Sequence, residues 1–370
     1  PAVAPAARIA SSRDLRNRAL AGDDHVQSLF TAELEGLNAK SKIERRRYLP
    51  VPFDAYDGVL AQRASLPELA EQFGDEHEFS ASQLERYMQC PFLFFMERVL
   101  RVTDVEPAEA EFNPMTRGQI LHYILQGFHQ QHAGRPIAEI PEAEALASVK
   151  ALIERGFERH GSHSAASAGI EKLERRRMQQ TLERYLRMER DNRSSAQWRP
   201  SYFERKFGGN RHGGNTSNDS RPFELETTAG VVRFSGGIDR IDFCDAGARI
   251  VDYKTSTVPA SGDVDKGKAL QVMLYALAYQ QLIEEAKTKP CISAMYIVPG
   301  RKKALEVLHK TTLEDLESTL QESVAQCLDG IRRGVFRPST VKDSCKGCST
   351  RRPCRYQEAR MTRKAEIEAP

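Results

Sequence analysis

The segment 235–255, SGGIDRIDFCDAGARIVDYKT, holds the residues whose types and spacing best suit chemistry. Residues two apart on a β-strand face the same side, so Asp252 and Lys254 would project together. Asp239 lies on the preceding predicted strand, and the turn Cys244–Ala248 predicts a hairpin that brings Asp239 close to Asp252. Two neighbouring carboxylates repel each other, and a hard divalent cation such as Mg²⁺ removes that repulsion. The pattern therefore predicts a metal site with a lysine beside it.

A metal in this position would polarise a phosphodiester and lower the pKa of a bound water. Lys254 would orient that water or neutralise the charge that develops during cleavage. The alternative is an exposed ion pair between Asp252 and Lys254 at the edge of a sheet. Apolar residues precede both acids, for example Ile250 and Val251 before Asp252, which favours buried strands whose acids need a partner.

Two predicted helices could add to this chemistry. Gln271 and Tyr275 are four residues apart, so they share a helix face and could reach a nucleic-acid backbone or a metal-bound water. His122, on another predicted helix, could supply a nitrogen ligand or a phosphate contact. The alternatives are a surface amide beside a core aromatic ring, and a structural histidine.

The cysteines indicate a second site. Seven cysteines, an odd number in a chain without an export signal, argue against a disulfide framework. Cys345, Cys348 and Cys354 form a C-x₂-C-x₅-C run, typical of a soft-metal site that lacks one ligand. Cys90 is the natural fourth ligand, although spacing alone does not prove that pairing. Three others are more simply explained as small buried side chains: Cys244, Cys291 and Cys327. Structural zinc usually shows two close cysteine pairs, so an iron–sulfur cluster suits this spacing better.

Local patterns predict the elements that would position these residues. A helix begins at a Ser80 or Ser82 cap, with Glu85 three residues after Ser82. The segment 142–192 is mostly helical and charged. Other predicted helices cover 117–131, 266–285 and 313–334, and predicted strands cover 223–227, 231–243, 249–253 and 291–298. This order predicts an α/β or α+β core.

Composition limits the class of protein. With 40% hydrophobic and 28% charged residues and a formal net charge of +3, the chain has the balance of a globular protein. No window reaches the roughly 18 apolar residues of a membrane span, and the N-terminus lacks a secretory signal. We therefore expect a cytoplasmic protein. The chain begins at Pro1, which suggests a processed product or a piece of a longer protein.

Taken in order, the motifs resemble a known family. The segments SASQLERYMQCPFLFF, GQILH, GGIDRID, IVDYKT and QVMLY, followed by C-x₂-C-x₅-C, are similar to the PD-(D/E)XK nuclease domain of RecB type, in its four-cysteine iron–sulfur form. Such domains occur at the C-terminus of AddB-type helicase–nuclease subunits and in CRISPR-adaptation exonucleases. The resemblance covers about residues 77–358. It implies a restriction-endonuclease-like core, a central mixed β-sheet flanked by helices, with the cluster joining the two ends of the domain.

The resemblance also implies roles for individual residues. The implied sets are an Mg²⁺ or Mn²⁺ site of His122, Asp239 and Asp252, a catalytic group of Asp239, Asp252, Lys254, Gln271 and Tyr275, and a [4Fe–4S] site of Cys90, Cys345, Cys348 and Cys354. Glu204 matches an upstream acid that some members carry.

We therefore expect three parts: a linker or the edge of a helicase-like region over 1–76, the nuclease domain over 77–358 with a helical insertion at about 140–195, and a basic or polar tail over 359–370. The expected activity is a metal-dependent deoxyribonuclease acting on single-stranded DNA or DNA ends. We expect it to be an exonuclease in double-strand-break repair and recombination. No Gly-x₄-Gly-Lys-Ser/Thr loop is present, so unwinding would come from a helicase partner. The polar loop at 208–221 suggests no function.

Two alternatives stay open at this point. A CRISPR-adaptation-type exonuclease would keep the fold and change the substrate. A non-catalytic DNA-binding module of a larger repair complex would hold a strand with the cluster and the basic segment 342–364, which carries eight Lys or Arg and two acids. The complete set of Asp239, Asp252 and Lys254 argues against such a module.

Overall fold

The computed structural model describes residues 31–60, 66–102, 112–161, 168–209, 219–302, 304–308, 312–340, 345 and 348–368. The chain divides into two compact units. The smaller unit combines residues 1–60 with 337–370, and the larger unit covers 61–336. Most of the predicted polar loop at 208–221 lies outside the described residues.

The described strands all belong to the larger unit. They are β1 Glu78–Phe79, β2 Arg199–Phe207, β3 Phe223–Thr227, β4 Gly230–Phe234, β5 Gly236–Phe243, β6 Ala248–Tyr253, β7 Cys291–Ile297 and β8 Ala304–Leu308. Within the described residues, a mixed sheet has the order β2-β5-β6-β7-β8, and a smaller sheet has the order β1-β4-β3. In the mixed sheet β6 and β7 run parallel, and the other neighbours are antiparallel.

Helices cover the mixed sheet. The described α-helices are α1 Thr31–Tyr48, α2 Leu66–Gln72, α3 Ala81–Gln89, α4 Pro91–Phe94, α5 Pro114–Gln131, α6 Glu142–His160, α7 Ala168–Asp191, α8 Ser261–Asp265, α9 Gln271–Leu282, α10 Leu313–Arg332 and α11 Glu358–Glu368. One core cluster joins apolar residues of α5, α6 and α7 to Val251, Tyr253 and Ile297 of the sheet. The helix α9 also packs against β6 and β7. The predicted α/β fold, a central mixed sheet flanked by helices, is confirmed.

The hairpin of β5 and β6 is the predicted one. Arg240 pairs with Val251 and Phe243 pairs with Ala248 in antiparallel register. Asp239 and Asp252 therefore follow at the next position of the ladder. Every residue of β6 is buried, because helices lie on both faces of this part of the sheet.

The predicted strand over 231–243 is wrong as a single element. It is divided into β4 and β5, which belong to different sheets. The chain changes sheets at Ser235, whose N–H donates to the carbonyl of Phe79 at 2.9 Å. Gly236 begins β5, where a Cβ atom would lie 3.0 Å from the ring of Phe207 and 3.1 Å from that of Tyr275. In the sequence, Ser235-Gly236-Gly237 interrupts the apolar pattern at this crossing. The strands β1, β2 and β8 were not predicted.

The structure decides which of the two predicted serines caps α3. The Ser80 hydroxyl accepts the Gln83 N–H at 3.3 Å, and the Gln83 side chain accepts the Ser80 N–H at 3.0 Å. This reciprocal pair is a capping box, so Ser80 and not Ser82 caps the helix. Glu85 is thereby left for a different contact.

The smaller unit has a buried charged centre. Asp57 is buried with two cations of α11: it pairs with Arg360, and its Oδ2 lies 2.9 Å from Lys364 Nζ. Residues 358–368, most of the predicted tail, are thus a helix with a buried face. None of the described helices combines the length and apolar character that crossing a bilayer requires.

Candidate active site

The two predicted acids lie side by side on paired strands, Asp239 in the middle of β5 and Asp252 near the end of β6. Asp252 is 4% exposed, and the Asp239 side chain is 9% exposed. The Tyr253 N–H donates to Asp239 Oδ2 at 2.7 Å. The backbone of β6 therefore fixes the Asp239 carboxylate directly beside Asp252.

A set of three metal-ligating side chains forms around Asp239. His122 on α5 places Nδ1 at 3.3 Å from Glu204 Oε1 and 3.4 Å from Asp239 Oδ1. Among the described residues, these three form the one such group whose ligand atoms all lie within 4.8 Å of one another. The structure therefore brings Glu204 into the position next to His122 and Asp239, while Asp252 lies beside this group.

Glu204 reaches this place through an unusual backbone conformation. Its φ is 49°, in the left-handed region that residues other than glycine rarely adopt. The flanking residues Phe203 and Arg205 pair with Arg240 and Ile238, so Glu204 lies opposite Asp239. Such conformations cost about 1–3 kcal/mol and concentrate at functional sites. In the sequence, only the family resemblance singled out Glu204.

The electrostatics of this group favour a cation. Burial by itself lowers the pKa of His122, but the hydrogen bonds and charges of Asp239 and Glu204 outweigh it and raise that pKa to about 10. Burial and the charge of Asp239 raise the pKa of Asp252 to about 7. The shift of His122, and the part of the Asp252 shift that comes from Asp239, express a local negative charge that a divalent cation would neutralise. Carboxylate oxygens and an imidazole nitrogen are donors suited to such an ion.

Lys254 is held by partners from two elements. Its Nζ lies 2.7 Å from Asp252 Oδ2 and donates to Gln271 Oε1. Its backbone N–H donates to Ile297 O at 2.8 Å, and its ammonium lies 5.2 Å from the centre of the Tyr296 ring. The structure thus brings Asp252, Lys254 and Gln271 together.

Tyr275 lies one helical turn beyond Gln271 on α9 and is 8% exposed. Burial, together with the charges of Asp252 and Asp239, raises its pKa well above the usual range. The hydroxyl therefore stays protonated near the two acids. Its ring meets Phe207 edge-on at 6.2 Å.

Glu85 belongs to this site, although the sequence indicated only a cap on its own helix. Its Oε1 accepts the N–H groups of Leu270 at 2.7 Å and Gln271 at 3.2 Å. Burial raises the pKa of Glu85, while these hydrogen bonds and the charge of Lys254 act in the opposite direction. One signal could have found it: the residue before Gln271 is Leu270, which cannot cap a helix with its side chain.

The four predicted cluster ligands are divided between the two units. Cys90 ends α3 in the larger unit. In the smaller unit, the Cys348 N–H donates to Cys345 O at 3.4 Å, and the Cys354 N–H donates to Thr350 O at 3.1 Å. Cys345 and Cys354 are buried and Cys348 is partly exposed. The [4Fe–4S] assignment stays a prediction.

Comparison with known proteins assigns the family. The sequence pattern of the PD-(D/E)XK nuclease superfamily matches residues 78–355, most of the chain. The chain therefore belongs to this superfamily, which confirms the PD-(D/E)XK resemblance drawn from the motifs.

Relatives point to one kind of protein. The chain is similar to proteins that are each named as the B subunit of an ATP-dependent helicase/deoxyribonuclease. Identity is 24% over 225 residues in Clostridium tetani, covering 59% of this chain and 19% of that protein. It is 25% over 242 residues in Acetivibrio thermocellus, covering 63% and 20%, and 26% over 209 residues in Moorella thermoacetica, covering 54% and 17%. The chain spans about a fifth of the length of the curated relatives it matches.

Proposed function

We propose that this chain is the nuclease part of a helicase–nuclease that processes DNA double-strand breaks. Its activity would be that of an Mg²⁺- or Mn²⁺-dependent deoxyribonuclease, acting as an exonuclease on single-stranded DNA or DNA ends. The observation that carries the proposal is that His122, Glu204 and Asp239 lie beside the pair of Asp252 and Lys254. Superfamily membership supports nuclease activity, and the names of the relatives support a DNA substrate and a helicase partner.

His122, Glu204 and Asp239 would hold the divalent metal, with Asp252 completing the site. A metal held in this way would polarise a phosphodiester and lower the pKa of an attacking water. The protein residues supply position and charge. The Tyr253 N–H holds the Asp239 carboxylate, and the strained backbone of Glu204 directs its side chain at the same point.

Lys254 would act on the phosphate itself. An ammonium has three N–H donors; here Gln271 accepts from one of them, and Asp252 Oδ2 lies 2.7 Å away as the ion-pair partner. A remaining donor can bind a non-bridging phosphate oxygen or the attacking water, where the positive charge opposes the negative charge that develops. Gln271 and Asp252 thus fix the direction in which Lys254 presents its charge.

We also propose that Cys90, Cys345, Cys348 and Cys354 hold a [4Fe–4S] cluster. Three of these thiols lie within ten residues of one another in the smaller unit, in turns that carry no disulfide. Protein purified without oxygen should be brown, and Cys348→Ala should lose the visible absorption and unfold more easily. A colourless, zinc-loaded and fully folded wild type would contradict the cluster.

The nuclease proposal is tested with end-labelled single-stranded DNA and anaerobically purified protein, with Mg²⁺ or Mn²⁺ and without ATP. We expect cutting that requires the metal and is lost in Lys254→Ala, and release of label in the smallest products would show an exonuclease. Lys287→Ala is the matched control, because Lys287 pairs with Glu284 on the surface of the same unit. No cutting by brown, folded protein would contradict nuclease activity in this chain and favour a binding function.

A further inference from the structure

The helix α9 carries Gln271, the partner of Lys254, at its first position, and this end has no cap of its own. Leu270 stands at the N-cap position without a side-chain hydrogen bond, and the first turn contains no acid. The first N–H groups of a helix need an acceptor, and the positive end of the helix dipole favours a negative one. This need is met from another helix.

Glu85 on α3 supplies the acceptor. Both the Leu270 N–H and the Gln271 N–H donate to the same oxygen, Glu85 Oε1. Residues 85 and 271 are far apart in the sequence, so the tertiary structure brings this cap from a different helix of the same chain. Glu85 is half-buried, and its negative charge also acts on Lys254.

The contacts form a continuous chain to the reacting groups. Glu85 holds the backbone of Gln271, the Gln271 side chain accepts from Lys254 Nζ, and Lys254 pairs with Asp252. The hydrogen bond from the Gln271 N–H to Glu85 fixes the backbone from which the Gln271 side chain extends. A shift of that first turn would move the Gln271 oxygen and with it the ammonium group.

We propose that Glu85 is a positioning residue of the nuclease site. By capping α9 from the neighbouring helix α3, it fixes the position of Gln271 and so the direction in which the Lys254 ammonium group points. This inference rests on the proposed nuclease function. Glu85 lies outside the group of metal-ligating side chains and acts through Gln271. Its loss should therefore reduce the rate of cutting rather than the binding of DNA.

The test compares Glu85→Ala, Glu85→Asp and Glu85→Gln with wild type in metal-dependent cutting of end-labelled single-stranded DNA. We expect Glu85→Ala to lower kcat by about 10- to 100-fold, the usual loss when a partner of an active-site group is removed, with little change in KM. Glu85→Asp is too short to reach both N–H groups and should behave similarly. Glu85→Gln keeps a carbonyl oxygen at the same distance and should restore most of kcat.

The structural control is Thr312→Ala. Thr312 caps α10 through a reciprocal pair with Asp315, so its removal costs a helix cap of the same kind outside the catalytic group. Amide hydrogen exchange provides a measurement that does not depend on cutting. Exchange at Leu270 and Gln271 should accelerate in Glu85→Ala, remain close to wild type in Glu85→Gln, and remain unchanged in Thr312→Ala.

The outcomes separate this inference from the proposed function. If wild type cuts and Glu85→Ala cuts equally well, or only as much more slowly as Thr312→Ala, the positioning role is overturned and the nuclease stands. The same holds if exchange at Leu270 and Gln271 does not change. If wild type does not cut with either metal, the nuclease proposal fails and the role of Glu85 fails with it.

Discussion

Two clusters of charged residues lie on opposite sides of the β5–β6 hairpin, and they differ in the sign of their excess charge and in their access to solvent. In the first, here called the acidic cluster, Asp239 and Asp252 lie with Glu204 around His122 and Lys254. In the second, the arginine network, Arg240 and Arg249 share Asp242. Alternation along the strands points Asp239 and Arg240 to opposite sides.

The arginine network is buried and closed, with two guanidinium groups on one carboxylate. Asp242 is 0% exposed and accepts from Arg240 Nη2 at 3.0 Å and Arg249 Nε at 2.9 Å. Arg240 Nη1 also donates to the Tyr185 hydroxyl at 2.9 Å and lies 3.1 Å from His129 Nε2. These bonds tie α5 and α7 to the sheet, and Arg240 Nε and Asp242 Oδ1 also lie 2.8 Å apart as an ion pair, so each buried charge has a partner of opposite charge.

The acidic cluster is unbalanced and partly open. Its carboxylates outnumber its cations. Asp239 and Glu204 raise the pKa of His122, and burial together with the charge of Asp239 raises that of Asp252. Lys254 and Glu204 each keep about a quarter of their side-chain surface exposed. The comparison teaches that the sign of the excess charge and access to solvent separate a site from a structural network, even when both share one pair of strands.

The largest expected effect comes from Asp252→Asn. The substitution removes a carboxylate from the acidic cluster and should lower cutting by about 10³-fold or more, a loss of roughly 4 kcal/mol in transition-state stabilisation. Stability should change little, because the asparagine keeps the shape and relieves the repulsion from Asp239. Single-turnover cutting and urea unfolding measure the two effects. Retained activity would remove Asp252 from the site.

The same substitution in the arginine network, Asp242→Asn, should have the reverse result. It leaves two buried guanidinium groups without their counter-charge, so the free energy of unfolding should fall by about 3–5 kcal/mol. The protein that remains folded should still cut, since Asp242 points away from Asp239 and Asp252. Unchanged urea unfolding of Asp242→Asn would break the distinction between the two clusters.

Glu204→Gln tests whether Glu204 belongs to the metal site of the acidic cluster. If Glu204 is a ligand or holds a ligand, the metal concentration needed for half-maximal cutting should rise by about 10- to 100-fold. High metal should restore much of the rate. Glu224→Gln is the matched control, because Glu224 pairs with Arg233 on the surface of β3. An unchanged metal requirement would exclude Glu204 from the metal site.

His129 should make the arginine network sensitive to acid. Burial, then the nearby charge of Arg240, holds the pKa of His129 well below 6.5 in the folded protein. Below about pH 6.5, His129 binds a proton in the unfolded chain but not in the folded chain. The free energy of unfolding therefore falls with falling pH by up to about 1.4 kcal/mol per pH unit. His129→Gln removes this titration.

The measurement is the difference in unfolding free energy between wild type and His129→Gln at several pH values. That difference should be constant above pH 7 and shift in favour of the variant below about pH 6.5. A constant difference across the whole range would show that His129 does not titrate differently on unfolding.

Much of the site followed from local pattern. Strand alternation paired Asp252 with Lys254, helical spacing placed Gln271 and Tyr275 on one face, and the turn after β5 predicted the hairpin that brings Asp239 to Asp252. Each of these inferences depends on the geometry of one element or one tight connection. The sequence carries such information directly, because the positions involved are few residues apart.

The sequence by itself determined the superfamily, the central mixed sheet and the residue types that can perform hydrolysis. Only the tertiary structure decided that Glu204 adopts a left-handed backbone to face His122, that Glu85 caps α9 from another helix, and that 231–243 is divided between two sheets. The reason is physical. These features depend on contacts between distant segments, where packing and the need to satisfy buried polar groups override the local preference of the chain.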